Sequence, residues 1–217
     1  MSKNILVLAA HPDDETLGCG ATIARLSSEG NTIHLLTFTD GVGSRRLGEK
    51  NRNSKLSDVS SLLGIERYIC ANFPDNAMDS VPLLDMCKFV ENNTDIHYDM
   101  IFTHFAGDLN IDHQLVAKAT LTAFRPQSFK SPTKIYSYYV PSSTDYNPIS
   151  TFDGKSYFAL SPEHVNSKKK ALEIYGNEMR DPPHSRSHEN VENLMKVWGA
   201  EAGAEYCEKF KLIREIL

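Results

Sequence analysis

Six apolar residues in a row, Ile5-Leu6-Val7-Leu8-Ala9-Ala10, run straight into His11-Pro12-Asp13-Asp14-Glu15, and helix-like sequence follows from Thr16. An aliphatic strand that empties into a turn and then a helix is the opening of an α/β unit. The turn itself is unusual, because an imidazole and three carboxylates fall within five residues. A helix N-terminus attracts anions, so one acid there needs no explanation. Three together are costly unless a cation shares the site or solvent screens them. A solvated acidic helix start accounts for this segment alone equally well. A second segment, Asp108-Leu-Asn-Ile-Asp-His113, tips the balance toward a cation.

Short aliphatic runs alternate with longer helical patterns along the whole chain. The predicted strands are Asn4–Ala10, Thr32–Thr39, Arg67–Ala71, Met100–His104 and Lys134–Val140. Between them Thr16–Glu29, Glu49–Leu63, Pro82–Asn92 and Ile111–Phe124 read as helices, with Gly30 and Gly64 where C-caps belong. Pro141 to Gly154 is turn-rich, and Ser161 through Gly176 and Ser187 through Leu217 read as terminal helices. This alternation predicts one α/β domain over 1–217, a Rossmann-like three-layer sandwich on a mainly parallel sheet with right-handed crossovers. Ligands of such sheets sit at the carboxyl ends of the strands. One acidic, histidine-bearing segment follows the first strand and the other follows the fourth, so the fold predicts that they converge.

Composition narrows the function. The chain has 217 residues, 41% of them hydrophobic, and a formal net charge of -5. That charge argues against a nucleic-acid partner, and Lys168-Lys169-Lys170, in a predicted helix, reads as a solvated face. No apolar stretch is long enough to span a bilayer. The apolar part after Lys3 is too short for a signal peptide and runs into charge instead of a cleavage site. Cys19, Cys70, Cys87 and Cys207 are scattered, as in a cytoplasmic protein with reduced thiols. Self-association is left open.

His11 and Asp14 lie three apart in a turn stiffened by Pro12, which lets both side chains reach one cation. His113 would add a third ligand from the first turn of another helix. Two imidazoles and a carboxylate suit Zn2+ and leave a position open for chemistry. Fe2+ can take the same donors. Asp13 diverges from its neighbour and can hang over the open side as a general base. Asp112 joins it in the catalytic set as a natural partner of His113. Glu15 either hydrogen-bonds locally or faces solvent.

Two decoys fail. Gly18-Cys-Gly20 lacks the third glycine of a dinucleotide loop, and the neighbouring acids would repel a pyrophosphate; close packing of helix on strand explains the glycines better. His188-Glu189 opens like a zinc-protease helix but continues to Glu192 where a histidine is required. His34 and His97 read as structural, while His104, ending the fourth strand, could serve packing or the pocket.

The residues resemble the LmbE-like, or PIG-L-type, family of zinc-dependent de-N-acetylases. The likeness is carried by Ala10-His-Pro-Asp-Asp-Glu15, Thr37-Phe-Thr-Asp-Gly41, Gly43-Ser-Arg45, Phe73-Pro-Asp-Asn76, Met78-Asp-Ser-Val-Pro82, Thr103-His104 and Gly107-Asp-Leu-Asn-Ile-Asp-His113. Pro183-His-Ser-Arg-Ser187 and Trp198-Gly199 support it. The resemblance implies that His11, Asp14 and His113 hold zinc, that Asp13 is the base, that Arg45 lies near the substrate and that Asn110 takes the place of a residue that assists the oxyanion. His104, from its place at a strand end, is the further candidate for substrate contact. It implies a small-molecule substrate, an N-acetylated amino sugar of GlcNAc type, cleaved to acetate and a free amine. Asn110 stands where well-known members carry a histidine; an amide can donate to an oxyanion but cannot relay a proton. Pro183-His184-Ser185-Arg186 departs from a His-Pro-Arg pattern. An amidase acting on a thiol conjugate of an amino sugar, and a nucleotide- or sugar-binding module without turnover, are the alternatives.

Overall fold

The first strand is sealed on both faces. In β1 (Asn4–Ala9), Ile5, Val7 and Ala9 face one apolar core while Leu6 and Leu8 face another. Each such fully buried aliphatic side chain is worth about 1.5–3 kcal/mol, which fixes β1 at the centre of a sheet covered on both sides. The computed structural model describes residues 2–41, 53–126 and 132–217.

The remaining strands are β2 (Thr32–Thr37), β3 (Arg67–Cys70), β4 (Met100–His104), β5 (Lys134–Tyr138), β6 (Ser156–Leu160) and β7 (Tyr206–Glu215). They form a seven-stranded sheet in the order β3-β2-β1-β4-β5-β7-β6. The first five are parallel, and β7 runs antiparallel to both β5 and β6. The helices are α1 (Asp14–Ser28), α2 (Asn53–Leu63), α3 (Leu83–Asn92), α4 (Ile111–Ala123), α5 (Pro162–Ile174) and α6 (His188–Ala202). Leu17, Leu56, Leu172 and Val191 bring α1, α2, α5 and α6 onto the face shared by Ile5 and Val7. Met86, Val90, Val116 and Ala119 bring α3 and α4 onto the opposite face with Leu6 and Leu8. This is the expected three-layer α/β sandwich. The four cysteines are free, and no helix among the described residues is long and apolar enough to cross a membrane.

Four expectations need correction. Residues 187–217 are not one helix: Gly203, at φ 72°, ends α6 in a left-handed cap, and β7 follows. β6 was missed as well. The charge-rich run Glu208-Lys-Phe-Lys-Leu-Ile-Arg-Glu215 has helix-forming composition, and pairing between β5 and β6 overrides it. Lys168 is not on a solvated face either. It is 2% exposed and ion-paired to Glu208 at 2.6 Å, whereas Lys170 is exposed. Finally, Gly18 packs against Tyr138 of β5, not against the preceding strand.

β1 continues outward through β2 and β3, and β4 continues through β5 on the other side. The sheet therefore changes direction between β1 and β4, which opens a crevice at their carboxyl ends. Both acidic segments empty into that crevice.

Candidate active site

The turn after β1 is strained. Asp13 holds φ 130°, ψ -28°, a region that a residue with a side chain enters at a cost of about 1–3 kcal/mol. Three contacts hold it there. Its N–H donates to Glu15 Oε2 at 3.0 Å, its carbonyl accepts from Leu17 N–H at 2.8 Å, and its Oδ2 meets Arg186 Nη1 at 3.1 Å. Asp13 is 2% exposed.

Asp14 is fully buried and sits at the hub. Its Oδ2 accepts the His11 backbone N–H at 2.9 Å and lies 3.1 Å from His11 Nδ1 and 3.3 Å from His113 Nε2. Its other oxygen, Oδ1, has no hydrogen-bond partner among the described residues. Burial would raise the Asp14 carboxyl, but His113 and His11 beside it hold it well below the usual carboxylate range. One ligand atom each from His11, Asp14 and His113 lies within 4.8 Å of the others. A buried carboxylate with a bare oxygen, facing two imidazoles at that spacing, fits a divalent cation: the donors match in type and number, and the bare oxygen has a use.

Each imidazole is oriented by a carboxylate behind it. His113 Nδ1 meets Asp108 Oδ1 at 3.2 Å, and Asp108 is fixed by hydroxyls of Ser143 and Thr144. His11 Nε2 meets Asp112 Oδ2 at 3.1 Å and Asp75 Oδ1 at 3.3 Å. Asp112 thus serves His11, not its neighbour His113. Consecutive helical side chains point about 100° apart, so the Asp112 carboxylate is turned away from the ring of its neighbour. The N–H groups of Asn76 and Met78 lock the Asp112 carboxylate at 2.7 and 3.1 Å. Burial alone would lower both imidazoles; instead Asp112 and Asp14 raise His11 to about 10, and Asp14 with Asp108 raises His113 to about 9.

His104, at the end of β4, accepts the Ala10 N–H at Nε2 (2.9 Å) and stacks on His113 with ring centroids 3.9 Å apart. Burial, with His113 beside it, pushes it well below its ordinary value and keeps it neutral. It lines the site as a packed wall. Asn110 caps α4: its Oδ1 accepts the Asp112 N–H at 2.8 Å and its amide donates to Asn76 at 3.2 Å. Arg45 lies outside the described residues. Glu15 is buried and bonded to Thr16 and Tyr175, so it does not face solvent.

Sequence reading missed Asp108 and Asp75 as orienting carboxylates and left Arg186 without a role. Asp108 carried a usable signal, since Asp-x-Asn before a helix marks a turn that fixes a side chain. Arg186 lies in a stretch that supports the resemblance, but nothing local announces its approach to Asp13, which bridges 173 residues of sequence. His184 accepts the Arg186 N–H at 3.0 Å and shapes that turn.

Fold and site together define an α/β protein of the doubly wound type, with an imidazole–carboxylate donor set at the switch point of its sheet. The chain belongs to the PIG-L family, GlcNAc-PI de-N-acetylase, whose pattern matches residues 6–124. It is 33% identical to the uncharacterized deacetylase YaiS of Escherichia coli K12 over 129 residues, 57% of this chain and 69% of that protein. It is 46% identical to the 1D-myo-inositol 2-acetamido-2-deoxy-alpha-D-glucopyranoside deacetylase of Rhodococcus jostii over 48 residues, 22% of this chain and only 16% of that protein. Among solved structures, the N,N'-diacetylchitobiose deacetylase of Pyrococcus horikoshii superposes with a TM-score of 0.75 at 18% identity, covering 98% of this chain and 84% of that one. The 4-carboxy-2-hydroxymuconate hydratase GalB of Pseudomonas putida KT2440 superposes with a TM-score of 0.77 at 16% identity, covering 99% and 98%. At these identities the likeness is one of fold, and that fold serves more than one chemistry.

Proposed function

We propose that this protein is a zinc-dependent deacetylase that hydrolyses the acetamide of an N-acetylated amino sugar of GlcNAc type. The observation that carries the reading is that His11, Asp14 and His113 bring one ligand atom each within 4.8 Å of one another, with Asp14 Oδ1 left without a hydrogen-bond partner among the described residues and the buried Asp13 carboxylate on the same turn. The membership in a de-N-acetylase family and the relatives' names support the acetamide and the sugar.

His11, Asp14 and His113 would hold Zn2+, or Fe2+ on the same donors. Once bound, the ion supplies Lewis acidity, polarising the acetyl carbonyl and acidifying water. Asp13 takes a proton from the attacking water as its oxygen bonds to the acetyl carbon. It then returns that proton to the amide nitrogen as the C–N bond breaks, leaving acetate and a free amine. Arg186 holds Asp13 in line through its 3.1 Å contact. Asp112 positions His11, and Asp108 positions His113, so both act through the imidazoles. His104 walls the pocket. The Asn110 amide carries a second hydrogen that can meet the oxyanion, and Arg45 would meet an anionic or polar appendage of the substrate.

The test is acetate release by zinc-loaded protein from a panel: N-acetylglucosamine, N,N'-diacetylchitobiose, the inositol glycoside and nucleotide-linked N-acetyl sugars. Release from at least one substrate is expected, with Asp13→Asn lowering kcat by about 10²–10⁴ while zinc stays stoichiometric. Sugar binding that ignores chelators and yields no acetate would replace this reading with a binding module. Normal turnover in Asp13→Asn at full zinc occupancy would remove Asp13 from its role.

A further inference from the structure

The helix that carries the acidic turn is interrupted. Cys19, at φ -147°, ψ 20°, breaks α1 into a first segment bearing Asp14 and Glu15 and a second, longer segment in the core. In an unbroken helix the Ala21 N–H would bond the Leu17 carbonyl. Here a buried ion pair takes up those two groups. Lys168 Nζ, from α5, donates to the Leu17 carbonyl at 2.8 Å. Glu208, from β7, accepts the Ala21 N–H at 3.2 Å and the Thr22 N–H at 2.7 Å. Lys168 and Glu208 join each other at 2.6 Å, at 2% and 0% exposure. The ammonium thus caps the end of the first segment and the carboxylate caps the start of the second, each with the charge that a helix end favours.

The break also has a use on the pocket side. A Cβ on Gly18 would stand 2.2 Å from Tyr138 Cδ2, and the Tyr138 ring packs 4.8 Å from His104, which stacks on His113. The first segment therefore takes its direction from two requirements: room for the Tyr138–His104–His113 wall, and the ends held by Lys168 and Glu208. Both charged residues come from the part of the chain beyond residues 6–124 that the family pattern matches.

We propose that Lys168 and Glu208 are positioning residues that set the angle of the Asp13–Asp14 turn toward His113. This rests on the metal reading above. A buried ion pair contributes little net stability when both partners are replaced together, so loss of both charges tests geometry more than folding.

The test uses the full chain and Co2+ alone as probe, following visible d–d absorbance and the dissociation constant. The variants are Glu208→Gln, Lys168→Met, the double Lys168→Met/Glu208→Gln, and Val90→Ala as a control in the core on the other sheet face. The double variant is expected to melt cooperatively, bind Co2+ about tenfold or more weakly and show an altered spectrum, the range that orienting partners of metal ligands command. Val90→Ala should lose melting temperature and keep the parent's Co2+ constant. Parent-like Co2+ binding by the double variant overturns the proposal, as does equal weakening in Val90→Ala. If the double variant does not fold, Glu208→Gln decides by the same criterion, since its amide oxygen can still accept a helix N–H. A parent protein that binds no Co2+ overturns the metal reading, and this inference with it; binding by the parent separates the two failures.

Discussion

Glu15 offers the sharpest quantitative test of how this site is built. It is fully buried in the first turn of α1 and accepts from the Asp13 N–H at 3.0 Å, Thr16 Oγ1 at 2.7 Å and Tyr175 OH at 3.0 Å. Burial outweighs those bonds and pushes the carboxyl from its ordinary 4.5 up to about 7. Between those values the folded chain holds a proton that the unfolded chain has released. Stability therefore falls as pH rises through this window and levels off above about 7. At ~1.4 kcal/mol for each tenfold in the ionisation constant, the loss is about 3 kcal/mol. Glu15→Gln removes the ionisation and keeps the acceptor oxygen toward Asp13, while the Thr16 hydroxyl can turn to accept from the new amide. In a chain of this size, 1 kcal/mol moves Tm by roughly 2–4 °C. The difference in Tm between variant and parent, in chelator, should grow in the variant's favour by about 6–12 °C from pH 4.5 to pH 7.5. Other titrating groups are common to both proteins and cancel in the difference. Parallel Tm–pH curves would refute the argument that Glu15 is buried as a reluctant carboxylate.

Two further outcomes follow from the same geometry. In chelator-treated protein His11 is raised to about 10 and His113 to about 9, so their stabilising contribution is full below 6.5 and lost as pH rises through those values. A metal ion must displace these protons, so zinc affinity measured by competition should keep rising between pH 7 and 9; a flat profile there would refute it. Gly18→Ala should cost about 1–3 kcal/mol in denaturant melts, because its Cβ would overlap Tyr138. Helix propensity alone predicts the opposite, a gain of up to about 1 kcal/mol, so a stabilised variant would show that Tyr138 yields.

The alternation of aliphatic runs and helical patterns was enough to read five parallel strands, their helices and the convergence of two segments. Local sequence settles these because a strand buried on both faces must be apolar throughout, and because parallel strands need crossovers of helical length. Met100–His104 is recovered residue for residue, and the other edges of these strands and their helices that fall on described residues coincide or shift by one or two residues; the expected helix start at Glu49 lies outside the described residues. The antiparallel end of the sheet was illegible. Nothing local to Glu208–Glu215 outweighs its helix-forming composition until β5 and β6 flank it.

What the sequence by itself determined is which side chains are brought together: His11, Asp13 and Asp14 at one strand end, with His113 opening a helix after another. Their spacing leaves few alternatives, and the sheet's switch point brings them together. What only the tertiary structure decided is which group orients which. Asp112 turned to His11 and Asp108 to His113, Arg186 reached Asp13 across 173 residues, and Lys168 left the surface to close a break in α1 with Glu208. The physical reason is range. Ligand type and turn geometry are properties of a few adjacent residues, whereas the partner of a buried charge is whichever opposite charge the packed chain delivers within hydrogen-bond distance.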